Sequence, residues 1–392
     1  MSPAAFAPQE ILERILRHAA TGTLDVPSRS WRLYSYPSMD PARAIGQVPL
    51  VNRHWNEAAT RILYRELVVN ELDELGLPAT LSKNALLTRT LEQSPRLQAH
   101  VSSLHLNTYT TDIDDREKFE WLSLRILRCC THLQHLWIRG WIPSLLKQLH
   151  TTIATFTGLR YLSIRPYKEN SRDSFCSFEG LEAMMRGWPN LEYLNTSGRA
   201  ITDNGGDSVR STQPPPMTKH GARLILYDPS QLEGFTLITP NLTELSLSQR
   251  DDPTLFLLHA QRWNRTLRCL KLWVGRGVTD TQWRAVMMAL CGFERLQRLI
   301  IRTLFPLALL ELPDTLEEIT FVVGSEDLPV LFDVLDQKLP RSIRKVKFVV
   351  NYLHTSAEKA QCDLEPALRA FCNKRKWKWL VHGLHGYSIS SS

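Results

Sequence analysis

Basic and aromatic side chains recur beside leucine-rich phrases along most of this chain, and they are the residues with the clearest chemistry to offer. Trp137, Arg139, Tyr161, Arg165, Tyr193, Lys271, Trp273, Arg298 and Arg302 each neighbour an aliphatic residue of such a phrase, as do His105, His135, Lys345 and Lys347. On a strand, alternation would send the aliphatics to one face and these residues to the other. Arg beside exposed Trp and Tyr makes binding hot spots rather than reaction centres. The chemistry is non-covalent capture, and the cations suit a protein ligand of acidic or phosphorylated character.

Catalytic patterns are absent. The sequence contains no Gly-rich phosphate loop, no His-Glu-x-x-His and no Gly-x-Ser-x-Gly elbow, so it reads as a non-enzyme without a cofactor. Cys129, Cys130, His132 and His135 are metal-ligating types, but adjacent cysteines point apart and no second pair stands at finger spacing, so no metal is expected. NKRKWK, Asn373 to Lys378, suits a nucleic-acid or nuclear-import patch, with cations beside Trp377 and Trp379, but so short a run is more often a solvated face of a terminal cap, and nucleic acid is not an expected partner.

The elements that must carry the basic and aromatic residues come from a recurring phrase: an aliphatic, two other residues, an aliphatic, one other, and a third aliphatic. It stands at Val101/Leu104/Leu106, Leu133/Leu136/Ile138, Leu159/Leu162/Ile164, Leu191/Leu194, Leu232/Phe235/Leu237, Leu242/Leu245/Leu247, Leu267/Leu270/Leu272, Leu296/Leu299/Ile301, Leu316/Ile319/Phe321 and Ile343/Val346/Phe348. The second and third aliphatics alternate inward on a short strand, and the first comes from the turn before it. A single unit cannot bury that face, so stacking is required. Glu179 to Trp188 and Asp280 to Leu290 have the apolar spacing of helices for an outer wall. The expected fold is therefore α/β, an irregular leucine-rich-repeat solenoid with parallel strands inside and helices outside, over 101–382. A mobile insertion is expected at 199–221, where Gly205-Gly206 and Pro214 to Pro216 break the rhythm. The phrases at Leu232 and Leu242 stand too close for two repeats, so one of them, or Leu224 to Tyr227, would be a cap or hairpin strand. Residues 383–392 read as a flexible tail.

Composition agrees with a folded chain. Of 392 residues, 43% are hydrophobic and 22% charged, enough apolar content to build a core. A formal charge of +7 attracts acidic partners without demanding a polyanion. Seven cysteines at irregular spacings argue for reduced thiols, hence cytoplasm and/or nucleus, and the Asn-x-Ser/Thr sites at Asn195, Asn241 and Asn264 should go unglycosylated. No run is long and apolar enough for a membrane span, so no membrane partner is expected.

Ahead of the repeats lie helical patterns. Pro8 suits a first helical turn, and Ile11, Leu12, Ile15 and Leu16 make an i, i+4 face. Leu50, Val51, Trp55, Ala58, Ala59, Ile62 and Leu63 form one apolar stripe over Leu50 to Leu67, read as two short helices. Pro27, Pro37 and Pro41 mark an irregular insert at 20–39, and 71–100 reads as a helical linker or cap.

Pro8 to Leu16 (PQEILERIL) together with Val48 to Leu67 (VPLVNRHWNEAATRILYREL) resembles the F-box, and Ala85 to Leu106 is similar to the bridge that follows the box in many fungal F-box proteins. The family opens with Leu-Pro where this chain has Ala7-Pro8, and has a shorter loop than 20–39. The resemblance implies an all-α three-helix module over 1–70 that binds a Skp-family adaptor, and through it a cullin, through Pro8, Ile11, Leu12, Ile15, Leu50, Val51 and Trp55. Trp55 either packs within the module or faces the adaptor. The repeat array would then hold a target protein for ubiquitin-dependent degradation. The other reading is a non-catalytic leucine-rich-repeat scaffold outside ubiquitination.

Overall fold

The computed structural model describes residues 11–14, 16, 53–70, 77–107, 113–141, 143–166, 174–196, 200–202, 222–226, 234–236, 239–249, 259, 261–274, 279–302, 312–324, 342–351, 370–371, 373, 380–382 and 388–390. The chain divides into two units, Met1–Leu162 and Ser163–Ser392. Both are mixed α/β built on parallel strands.

In the first unit, residues 11–14 and 16 are helical, followed by α1 (Arg53–Arg65), β1 (Glu66–Asn70), α2 (Leu77–Gln93), α3 (Pro95–His100), β2 (Ser103–Asn107), α4 (Ile113–Cys129), β3 (His135–Arg139) and α5 (Leu146–Ile153). Strand β4 (Tyr161–Arg165) contains the division between the units. The stripe at Leu50 to Leu67 corrects in two ways: residues 53–65 are one helix rather than parts of two, and Leu67 leaves it for a strand. The sequence change explains this, because Glu66-Leu67-Val68-Val69 has the alternation and β-branching of a strand. Leu67 and Val69 are buried while Val68 is exposed. β1 pairs in parallel with β2, Glu66 opposite Ser103 and Val68 opposite His105, so the sheet begins at Glu66 and not at 101.

The helix at 11–16 packs on α1. Leu12, Leu16, Ala58 and Ala59 form a small buried core, and Trp55, Ile62 and Leu63 close on it. Arg61 ties the two segments, with Nη1 3.5 Å from Glu13 and Nη2 3.4 Å from Glu57. Glu57 also accepts from Arg96 on α3 at 2.7 Å. Ser94 caps α3, with Pro95 at its first position, where a missing N–H costs nothing.

The second unit contains β5 (Cys176–Ser177), α6 (Phe178–Met185), β6 (Tyr193–Thr196), β7 (Ile201–Thr202), β8 (Ala222–Leu226), β9 (Leu242–Gln249), β10 (Cys269–Val274), α7 (Asp280–Leu290), β11 (Arg298–Arg302), β12 (Glu318–Gly324), β13 (Lys345–Asn351), β14 (Leu380–His382) and β15 (Ser388–Ser390). Its main sheet runs β6, β8, β9, β10, β11, β12, β13, β14, β15, parallel from β6 to β14. The same backbone bond repeats before successive strands: Arg268 donates to Thr243, Gln297 to Arg268, Glu317 to Gln297 and Arg344 to Glu317, each at 2.8 to 2.9 Å. Leu245, Leu247, Leu270, Leu272, Leu299, Ile301, Ile319, Phe321, Val346 and Phe348 are all buried, which places the core on the inward face of these rungs. α6 and α7, the two segments with helical spacing, are helices, and α7 starts with a Thr279–Gln282 capping box.

Three expectations change here. The phrase at Leu232/Phe235/Leu237 is not a strand, since 234–236 are helical with Phe235 buried edge-on against Phe178. Its place in the sheet is taken by β8, a parallel rung between β6 and β9 with a register shift at Ala222/Arg223, rather than a cap or hairpin. On β8, Leu224 and Leu226 are buried. At the end of the chain, Ser388–Ser390 pairs antiparallel with β14, so those residues of the expected tail are sheet. Within 199–221, Ile201–Thr202 pairs with Cys176–Ser177, and 203–221 lies outside the described residues, as does the insert at 20–39.

Candidate functional site

One position recurs on every rung: the residue just before the second aliphatic of the phrase. In the first unit, cross-strand register lines up Glu66, Ser103 and His135 at this position. In the second it lines up Tyr193, Arg223, Glu244, Cys269, Arg298, Glu318 and Lys345. Two residues further along each strand a second row follows, Val68, His105 and Trp137 in the first unit and Asn195, Ile225, Ser246, Lys271, Ile300, Thr320 and Lys347 in the second. Both rows stand opposite the aliphatic core because side chains alternate along a strand.

In the first unit the outward face is aromatic. The His105 and Trp137 rings are stacked, Trp137 leans on Tyr161 with centroids 4.7 Å apart, and His135 lies 5.9 Å from Trp137. His105 Nε2 lies 3.1 Å from Glu66 Oε1, and Ser103 Oγ lies 3.2 Å from His135 Nδ1. The His105 imidazole is the main reason the Glu66 carboxyl is held below its ordinary range, against partial burial that works to raise it. Arg139 ends the next row opposite Asn107, and Gly140, at φ 83°, turns the chain out of β3.

In the second unit the outward face is ionic. Three cations close on Glu244: Arg223 Nε at 2.9 Å, Lys271 Nζ at 2.6 Å and Arg298 Nη2 at 3.9 Å. Two more meet Glu318, with Lys347 Nζ at 2.5 Å and Lys345 Nζ at 3.4 Å. Burial works to raise the Glu318 carboxyl, but the Lys347 hydrogen bond and the two ammonium charges outweigh it and hold it below the ordinary range. Burial pushes the Cys269 thiol up to about 11, with the Glu244 carboxylate acting the same way, so this cysteine is no nucleophile. Trp273 stands in register with Ser248 and Arg302.

The strand-face residues expected from sequence are thus on strands, in alternation with the core: Trp137, Arg139 and Tyr161 in the first unit, Arg165, Tyr193, Lys271, Trp273, Arg298 and Arg302 in the second. For Arg302 this holds of the backbone alone. What sequence reading missed are the acids. Glu66, Glu244 and Glu318 occupy the same recurrent position as His135 and Arg298, so the face is an ion-pair lattice rather than a bare basic stripe. Reading that one position through every phrase (RELV, LTEL, LEEI) would have exposed them. Cations remain in excess, five around two carboxylates.

No family model matches this sequence. Nor does any curated protein.

Of the expected adaptor-contact residues, Pro8, Ile15, Leu50 and Val51 lie outside the described residues. Leu12 is fully buried in the small core. Trp55 packs against the same core and is only partly covered. Ile11 points out, 50% exposed. Helical spacing alone does not separate Ile11 from Leu12, since neighbours lie about 100° apart and both flank one stripe. The Cys130 thiol donates to the Ile126 carbonyl at 3.1 Å, and burial pushes it up to about 12. Asn195 is fully buried. Among the described residues, no helix is long and apolar enough to cross a membrane.

Proposed function

We propose that this chain is the substrate-recognition subunit of a cullin-based ubiquitin ligase, its amino-terminal helices forming an F-box that binds a Skp-family adaptor and its strand face holding a target protein. The observation that carries the reading is Ile11: an isoleucine half exposed beside Leu12 and Leu16, on a helix whose other side is already packed. Full burial of a large aliphatic is worth about 1.5 to 3 kcal/mol, so covering the exposed half of Ile11 in a partner recovers roughly half of that, which is the reason to leave it uncovered. The strand face supports the second half of the reading. In the second unit it offers surplus cations, suited to a target with acidic or phosphorylated segments. Such a subunit supplies proximity, not catalytic groups.

Co-purification tests it. Full-length protein should bring down a Skp-family adaptor and cullin, and Ile11→Asp should lose both while remaining folded. Undiminished capture by Ile11→Asp, or no capture by the parent chain, rejects the reading.

A scaffold function outside ubiquitination is favoured by one observation. α1 runs without a break into β1, so the amino-terminal helices are continuous with the sheet and could serve as its end cap. In that case the adaptor does not co-purify and Ile11→Asp is silent.

A further inference from the structure

Glu244 is a single carboxylate with three cations drawn in from three different strands. Arg223 comes from β8, Lys271 from β10 and Arg298 from β11, all meeting a side chain of β9 that is 11% exposed. If these were only cross-strand pairs, one partner would suffice. Local charge is unbalanced by two positive units, and Glu318 does not correct it, since Lys345 and Lys347 already surround it. The donors also have capacity left. Arg298 stands 3.9 Å from Glu244, beyond hydrogen-bond length, with its side chain 50% exposed, and Arg223 uses Nε while its side chain is 57% exposed. A guanidinium has five N–H donors, so most of those on both arginines have no partner among the described residues. Lys271 is the buried anchor, 21% exposed at 2.6 Å.

We propose that Glu244 is a resident counter-anion in a seat for a doubly charged phosphate monoester, carried by the captured protein. Two surplus charges match a dianion, and the two guanidiniums, arriving from β8 and β11, offer its oxygens several N–H donors. A carboxylate ligand brings one charge and two oxygens, so it satisfies the seat only in part. In the free chain Glu244 holds the cations in place and keeps them from repelling one another. On binding, Arg223 and Arg298 swing their free N–H groups to the incoming phosphate while Lys271 stays on Glu244. Glu244 therefore lowers affinity for every anion and sets the charge a ligand must bring. This deepens the reading that the strand face holds the target, and it does not depend on the adaptor.

The test uses full-length protein at constant ionic strength. Inorganic phosphate binding is read by phosphorus NMR line broadening, with acetate as the competing monoanion. Anisotropy of a labelled Gly/Ala heptapeptide with one phosphoserine reads the protein-borne group. Phosphate and phosphopeptide should bind, and acetate and a peptide with glutamate in place of phosphoserine should not compete. Arg298→Gln, at an exposed position, should weaken both phosphate ligands about fivefold, and Glu244→Gln should strengthen both by about the same factor. A peptide tighter than inorganic phosphate assigns the seat to a protein-borne group, and equal affinities assign it to the free anion. If Glu244→Gln melts lower but leaves phosphate binding unchanged, and Arg298→Gln does nothing, the cluster is a structural brace and the proposal fails. Loss of adaptor capture with intact phosphate binding would instead remove the ligase reading and leave the seat standing.

Discussion

The His105 imidazole lies flat on the Trp137 indole, ring centroids 3.9 Å apart and planes within 10°. These two residues are 32 positions apart in sequence but opposite each other in the β2–β3 register. Stacked rings on neighbouring strands add roughly 0.5 to 1.5 kcal/mol beyond their area burial. A double-mutant cycle of His105→Ala and Trp137→Ala in urea unfolding should return a coupling in that range. Additive losses would mean that the two rings merely share a surface.

Acid should loosen the second unit through Glu318. Its carboxyl is held below the ordinary range by Lys347 and Lys345, so the folded state prefers it ionised. A depressed carboxyl contributes stability in full above its ordinary unfolded value, and that contribution fades as pH falls through the lower folded value. Lys347→Met should therefore shrink the difference in stability between pH 7 and pH 3. An unchanged pH profile would show that the pair is too well hydrated to count.

Ile11 and Leu12, adjacent in sequence, should behave oppositely. Leu12→Ala removes a fully buried side chain and should cost about 2 to 5 kcal/mol of stability. Ile11→Ala, at a half-exposed position, should cost under about 1 kcal/mol yet weaken adaptor capture. Equal stability losses at the two sites would place Ile11 in the core.

Asn195 is fully buried, and neither its Oδ1 nor its Nδ2 has a hydrogen-bond partner among the described residues. An unpaired buried amide costs on the order of 1 to 3 kcal/mol. Asn195→Val, which suits a strand, should raise the melting temperature. A clear fall instead would show that a buried water satisfies the amide.

Much of the repeat architecture is legible in the order of the amino acids. Leu104, Leu136, Leu162, Leu194, Leu245, Leu270, Leu299, Ile319 and Val346 stand at matched positions of one phrase, and each is buried on its rung. The phrase is local, and period-two alternation over five residues is enough to assign a face. Where the phrase misled, a local pattern met a tertiary choice. Leu232/Phe235/Leu237 spells the phrase, yet residues 234–236 are helical because β8 had already taken the place between β6 and β9. Glu66 to Asn70 spells only half of it and still became a rung, because β2 offered an edge to pair with.

The amino-acid sequence alone determined which residues go inward along each rung, which segments form the outer helices α6 and α7, and that basic and aromatic side chains stand on the opposite face. These follow from periodicity, which each short segment carries in itself. Which of those side chains neutralise one another was decided only by folding. Arg223, Glu244, Lys271 and Arg298 come from four strands spread over 76 positions, and only the strand register brings them within 4 Å of one carboxylate. The same holds for Leu12 and Ile11, whose separation into core and surface depends on where α1 lies against their helix. Charge pairing and burial are properties of spatial neighbours, and a chain that has not yet folded has none beyond its own next few residues.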